Sequence, residues 1–188
     1  MSGWIVAIVV AVAAAYAIYA YNALVRNRQM VKEGWSGISV QLKRRADLVP
    51  NLLASVKGYM AHEQKVFEDV TRLRARAQEV GDEHPAERAK AEGLFGAALG
   101  RLLAIAENYP ELKANQNFLD FQAALQKIED EIQLSRRYYN GAVRQFNTMV
   151  EQFPSNVVAG LFGFRVAEFF ELDVAADREV PKVSFDRT

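Results

Sequence analysis

The chain has 188 residues, 51% of them hydrophobic, which is room for one helical domain and a membrane segment and too little for a multidomain enzyme. Lys+Arg and Asp+Glu both number 23, so no net charge draws the whole protein to nucleic acid. Cysteine is absent, which excludes disulfides, thiol nucleophiles, thiolate metal sites and a lipoprotein anchor.

Residues 4–25, WIVAIVVAVAAAYAIYAYNALV, carry no charge and one strongly polar side chain, Asn22. At about 1.5 Å rise per residue this stretch matches a hydrocarbon core of about 30 Å and predicts a transmembrane helix. Trp4 sits at one end and Tyr16, Tyr19 and Tyr21 toward the other, where aromatic rings favour the headgroup level. A cleaved signal peptide is the competing reading, and the lack of any Lys or Arg before the apolar core weighs against it. Arg26, Arg28 and Lys32 follow the span directly, so the positive-inside rule places the N-terminus outside and residues 26–188 in the cytoplasm; an exported domain is the alternative. Within the span, Gly3, Ala7, Ala11 and Ala15 put a small residue at every fourth position. Such a stripe lets helices approach closely and predicts self-association, against the plainer explanation that alanine is abundant here.

Beyond the span, Val31, Trp35, Ile38, Leu42, then Val49, Leu52, Val56, Tyr59, then Val66, Val70 and Leu73 recur at steps of four and three. That is a helical packing stripe in heptad register, interrupted at Arg45 and Glu63, and it predicts one helix running to about Val80. Gly81, Asp82 and Pro85 supply the stop. Between Arg26 and Arg76 eleven basic residues face five acidic ones. This surplus suits docking against the acidic later helices, or else a face open to anionic lipid heads.

A second helix is expected from about Pro85 to Asn108, with Leu94, Ala98, Leu102 and Ile105 on one side. Asn115 or Asn117 is placed to cap a third, which carries Phe118, Phe121, Leu125, Ile128, Ile132, Tyr139, Phe146, Met149 and Phe153 and ends at Pro154. A fourth, SNVVAGLFGFRVAEFFEL, begins at Ser155 and is greasy enough either to close a bundle or to lie against a membrane or a neighbouring subunit. The fold class is therefore all-α: an N-terminal transmembrane helix over residues 1–25, an antiparallel bundle of about four long helices over 26–177, and a tail over 178–188. In that tail Val180, Val183 and Phe185 suit an extended strand.

No catalytic or metal site is legible. His62-Glu63 opens like a zinc protease helix, but H-E-x-x-H needs histidine at 66, where Val66 stands. His84 lies in the polar turn GDEHP, and no phosphate-binding glycine motif or nucleophile elbow occurs. Glu129, Asp130 and Glu131 spread around their helix, as a solvated or salt-bridged face does.

The blocks WSGISVQLKRRADLVPNLL, LGRLLAIAENYPELKANQNF, RRYYNGAVRQFNT and FPSN, in that order, resemble the LemA family of bacterial membrane-associated proteins. The resemblance covers nearly the whole chain. It implies a bundle of long helices behind one transmembrane helix at the bacterial inner membrane, with the N-terminus outside. Some relatives are associated with magnetosome membranes, which implies a membrane-shaping or scaffolding role. It supplies no catalytic activity, cofactor or active-site residue to transfer.

The stretch LKRRADLVPNLL remains to be explained. Pro50 removes the N–H that would bond one turn back and crowds the carbonyl of Ala46, so a kink costing roughly 3 kcal/mol is expected unless compensated. Arg45 falls on the packing stripe, where an unpaired charge is too costly. Arg45 and Asp47, beside Pro50, are expected to join a register-setting polar network with Glu107, Tyr109 and Pro110 of the ENYPELKAN block and with Tyr139 and Asn140 of RRYYN. Two functional readings follow. In the first, a non-enzymatic anchored scaffold self-assembles as a homo-oligomer in the lipid bilayer, without cofactor or nucleic acid. In the second, a monomeric adaptor presents the bundle to another membrane protein, such as a protease or a signalling system. An enzyme built on buried carboxylates is a distant third.

Overall fold

The computed structural model describes residues 2–171, with side chains from Gly3 onward. The expected bundle limit at residue 177 and the strand reading of Val180, Val183 and Phe185 lie outside the described residues. All regular structure among the described residues is helical: α1 (Ser2–Val56), α2 (Gln64–Glu79), α3 (Pro85–Ala106), α4 (Pro110–Lys113), α5 (Gln116–Glu151) and α6 (Ser155–Leu161).

The apolar span and the first bundle helix are a single helix, unbroken at residue 25. Its 55 residues measure about 82 Å. Gly3 to Tyr16 stand clear of the rest of the chain, and packing begins at Ala17 and Ala20. From there α1 and α5 run antiparallel side by side: Leu24 packs beside Phe146, Trp35 beside Tyr139, and Val56 beside Phe118. At Gly34 the two backbones approach so closely that a Cβ there would stand 3.0 Å from the Cα of Tyr139. Only glycine permits that approach without displacing α5.

The helix expected to reach Val80 stops at Val56. The stretch after it, with Gly58 exposed in the turn, folds back so that Met60 is fully buried under the hairpin. The apolar heptads resume in α2, and this is why the stripe looked continuous. A spacing pattern is blind to a reversal that preserves register. Helices α2 and α3 form an antiparallel hairpin that packs on the far half of the α1/α5 pair, where Phe67, Phe95, Leu102 and Phe118 fill the core. On α3 the buried face is Ala91, Phe95, Leu99, Leu102 and Ala106, while the expected stripe residue Leu94 is exposed. Asn115 caps α5, its side-chain oxygen accepting from the Phe118 N–H at 3.3 Å.

The expected long fourth helix is only seven residues, Ser155–Leu161. Gly163 at φ +70 ends it. The Phe164 N–H bonds the Ala159 carbonyl at 2.9 Å and the Gly163 N–H bonds that of Gly160 at 3.4 Å, the pairing that closes a helix over a left-handed residue. Ser155 lies inside the first turn rather than capping it, donating to the Gln152 carbonyl at 2.8 Å. Residues 164–171 then run extended along α5. Phe164 joins the core at the membrane end and Phe170 the middle core, where Ala89 at the start of α3 also packs.

Candidate functional site: a buried charge network, a strap and the membrane end

Arg45 is 4% exposed and sits where α1, α3 and α5 meet. Its Nη2 donates to Glu92 Oε2 at 2.6 Å and to the Glu92 carbonyl at 3.3 Å, and its Nη1 to Glu129 Oε1 at 2.5 Å. Glu92, 3% exposed, takes a second arginine: Arg88 Nε donates to Oε1 at 3.0 Å while its Nη1 donates to the Val80 carbonyl at 2.6 Å. The guanidinium of Arg45 also lies 5.3 Å from the Phe95 ring centre. Two arginines and two glutamates leave the cluster with no net charge, the condition under which buried ions persist. The cluster ties three helices together, and Glu129 is consumed as a partner rather than offered as an acid or base.

The partners expected for Arg45 were in the ENYPELKAN and RRYYN blocks; the guanidinium instead takes Glu92 and Glu129. Asp47 is exposed and pairs with Lys43 at 2.8 Å. Glu107 is exposed at the end of α3, and Pro110 opens α4. Tyr109 reaches Glu63, the other interruption of the heptad stripe, its hydroxyl donating to Oε1 at 3.2 Å. Removal from solvent and, next, the bond to that carboxylate raise the phenol of Tyr109 above its ordinary pKa.

Pro50 lies within α1, and the helix continues past it to Val56. The carbonyl of Ala46, which Pro50 leaves without its usual donor, accepts from Arg74 Nε of α2 at 2.6 Å. The backbone group orphaned by the proline is thus satisfied by a cation from the neighbouring helix.

Tyr139 and Asn140 belong to a separate device that fastens the extended strap. Asn140 donates to the Phe170 carbonyl at 3.1 Å and accepts from its N–H at 3.0 Å; Asn147 does the same with Ala167, at 2.9 and 2.7 Å. Seven residues of helix advance about 10.5 Å and three of extended chain about 10 Å, so two asparagines one heptad apart read the strap like a neighbouring strand. The buried Tyr139 hydroxyl donates to the Glu168 carbonyl at 2.8 Å between them. Burial, with a smaller contribution from Glu168, pushes its pKa up to about 12. Asn147 was not singled out in the sequence, although its heptad spacing from Asn140 was the available signal.

At the membrane end, the inner face of α6 buries Val158 and Ala159 against Ala20, Leu24, Phe146 and Phe164. Its outer face leaves Val157 and Leu161 exposed, as are Phe153 and Phe162 on either side of it. Phe162 packs on Tyr21 of the span with ring centres 4.8 Å apart and planes tilted by 59°, and Arg28 lies 5.0 Å from the centre of the Phe164 ring. Gly3, Ala7, Ala11 and Ala15 are all exposed, and a Cβ at Gly3 would meet nothing within 4 Å.

His62 and His84 are exposed, and among the described residues no three His, Asp or Glu side chains gather as a metal site would require. The LemA family model matches residues 34–185. Magnetosome protein MamQ 2 of Paramagnetospirillum magneticum is 27% identical over 184 residues, covering 85% of this chain and 68% of the relative. Magnetosome protein MamQ of Magnetospirillum gryphiswaldense is 26% identical over the same shares. Protein LemA of Metamycoplasma hominis is 25% identical over 165 residues, 88% of this chain and 73% of the relative.

Proposed function

Because this chain belongs to the LemA family, single-pass membrane-anchored helical proteins, we propose that it is a scaffold that self-assembles through its span at the bacterial inner membrane and helps to organise or shape that membrane. The observation that carries this reading is the unaccompanied stretch Gly3–Tyr16, whose small-residue stripe touches nothing else in the chain. A lone lipid-facing helix has no use for a flat seam of glycine and alanine, whereas two such helices pack backbone to backbone along it. Relatives named as magnetosome proteins support a role tied to a membrane structure. Arg26, Arg28 and Lys32, just past the span, support an N-terminus outside and a bundle in the cytoplasm.

Light scattering of the full chain in mild detergent tests the assembly. Removing the span at Arg26 would be a poor comparison, since Ala20 and Leu24 belong to the bundle core. The variant Ala7→Leu/Ala11→Leu/Ala15→Leu keeps the span apolar and fills the seam. The native chain is expected to form one discrete multi-copy species and the triple variant to fall to a monomer. A native monomer would sink the scaffold and favour the adaptor that serves another membrane protein.

A further inference from the structure

The part of the span that stands free of the bundle is too short to cross a bilayer alone. Only Gly3–Tyr16 stand free of the bundle, about 21 Å of helix, whereas a hydrocarbon core of about 30 Å takes roughly 20 residues. Counted from Trp4, the aromatic residue that marks one boundary, the core extends to about Ala23. By that level α1 is already packed: Ala20 is 1% and Leu24 0% exposed, covered by the end of α5 and by α6. The last about 10 Å of the leaflet therefore meets the α5–α6 corner as well as the span.

At that depth the corner presents Phe153, Val157, Leu161 and Phe162, with Leu161 78% and Phe153 76% exposed. The tilted contact of the Phe162 ring with Tyr21 fixes the patch beside the final turns of the span. Above it stand Arg28, against the Phe164 ring, and the exposed Arg165. Glu151, Gln152 and Asn156 are the exposed acidic and polar side chains at the corner itself.

We propose that the α5–α6 corner inserts into the bilayer as an in-plane wedge. Phe153, Val157, Leu161 and Phe162 lie at the boundary of acyl chains and headgroups, continuous with the lipid-facing surface of α1, and Arg28 and Arg165 lie at the phosphate level. The wedge enters one leaflet only and adds area to that leaflet beside every span. The inference rests on the span being in a membrane and not on self-assembly.

The absence of cysteine permits the full chain to be labelled at one site. Leu161→Cys and, at the opposite end of α5, Leu119→Cys are each labelled with the fluorophore NBD, checked for native helix content and reconstituted at one copy per nanodisc of mixed phosphatidylcholine and phosphatidylglycerol. The expected result is quenching at position 161 by a lipid doxyl group at acyl carbon 5 several-fold stronger than at 119, and quenching by aqueous iodide several-fold weaker. Equal iodide quenching at both positions, without lipid quenching at 161, would overturn the wedge. So would a label at 161 that is open to iodide in single-copy discs and shielded from both quenchers in crowded vesicles, because the patch would then be covered by a second copy.

Discussion

Arg45 brings a full charge into the packing stripe of α1, and what makes it tolerable is that Glu92 and Glu129 reach it from two other helices. The consequence is asymmetric. Arg45→Met leaves Glu92, 3% exposed, with Arg88 alone, and breaking a buried pair by removing one partner costs about 3–5 kcal/mol. Removing both charges together, as in Arg45→Met/Glu92→Leu, eliminates the stranded carboxylate but leaves Arg88, 13% exposed, with the Val80 carbonyl alone, so it is expected to recover part of that loss. Urea unfolding of the full chain in detergent, followed by circular dichroism, measures the coupling; losses that simply add would show that the two side chains do not act as a pair. Arg45→Met with unchanged stability and unchanged assembly would remove the case for a register-setting role altogether. Arg45 was legible as a buried charge because it fell on an apolar stripe. Its partners were not, since nothing local in the sequence says which of many glutamates a fold will bring across two helices.

Among the helices, α1 and α2 show how an element is held where its own sequence weakens it. Pro50 deprives the Ala46 carbonyl of a donor, and Arg74 supplies one across the hairpin. A hydrogen bond from a charged group contributes about 1.5–3 kcal/mol, so Arg74→Met is expected to destabilise by roughly that amount in the native chain. In a Pro50→Ala background the restored backbone N–H takes the Ala46 carbonyl, and the same Arg74→Met should then cost distinctly less. A double-mutant cycle of thermal or urea unfolding gives the answer, and equal costs in both backgrounds would mean that Arg74 stabilises by other contacts. Local chemistry made the all-α class, the α5 cap at Asn115 and the stop before α3 legible. The break after Val56 hid behind an uninterrupted heptad count. Residues 164–171 suit a helix by their aromatic and aliphatic content, yet Gly163 carries the stop signal, and the extended form depends on Asn140 and Asn147 one helix away.

For the whole molecule the decisive feature is that span and bundle share one helix. Tilting the span must tilt the bundle, since no linker lies between them, and in the proposed assembly a seam between spans would set the angle at which neighbouring bundles meet. This requires α1 to stay helical across the exit from the membrane, where Asn22 and Asn27 interrupt the apolar pattern. Asn27 is buried there, its amide donating to the Ala23 carbonyl at 2.8 Å and to Met149 Sδ at 3.1 Å, so it fastens α1 to α5 at that level. Spin labels on Val12→Cys and Val40→Cys, both exposed, bracket the exit. An unbroken helix separates their Cα atoms by about 42 Å, and pulsed dipolar spectroscopy on the chain in nanodiscs is expected to give one narrow distribution near that distance. A broad or markedly shorter distribution would place a hinge between span and bundle. In that case the packing of the spans would no longer dictate the arrangement of the bundles, and a scaffold would need contacts between the bundles themselves.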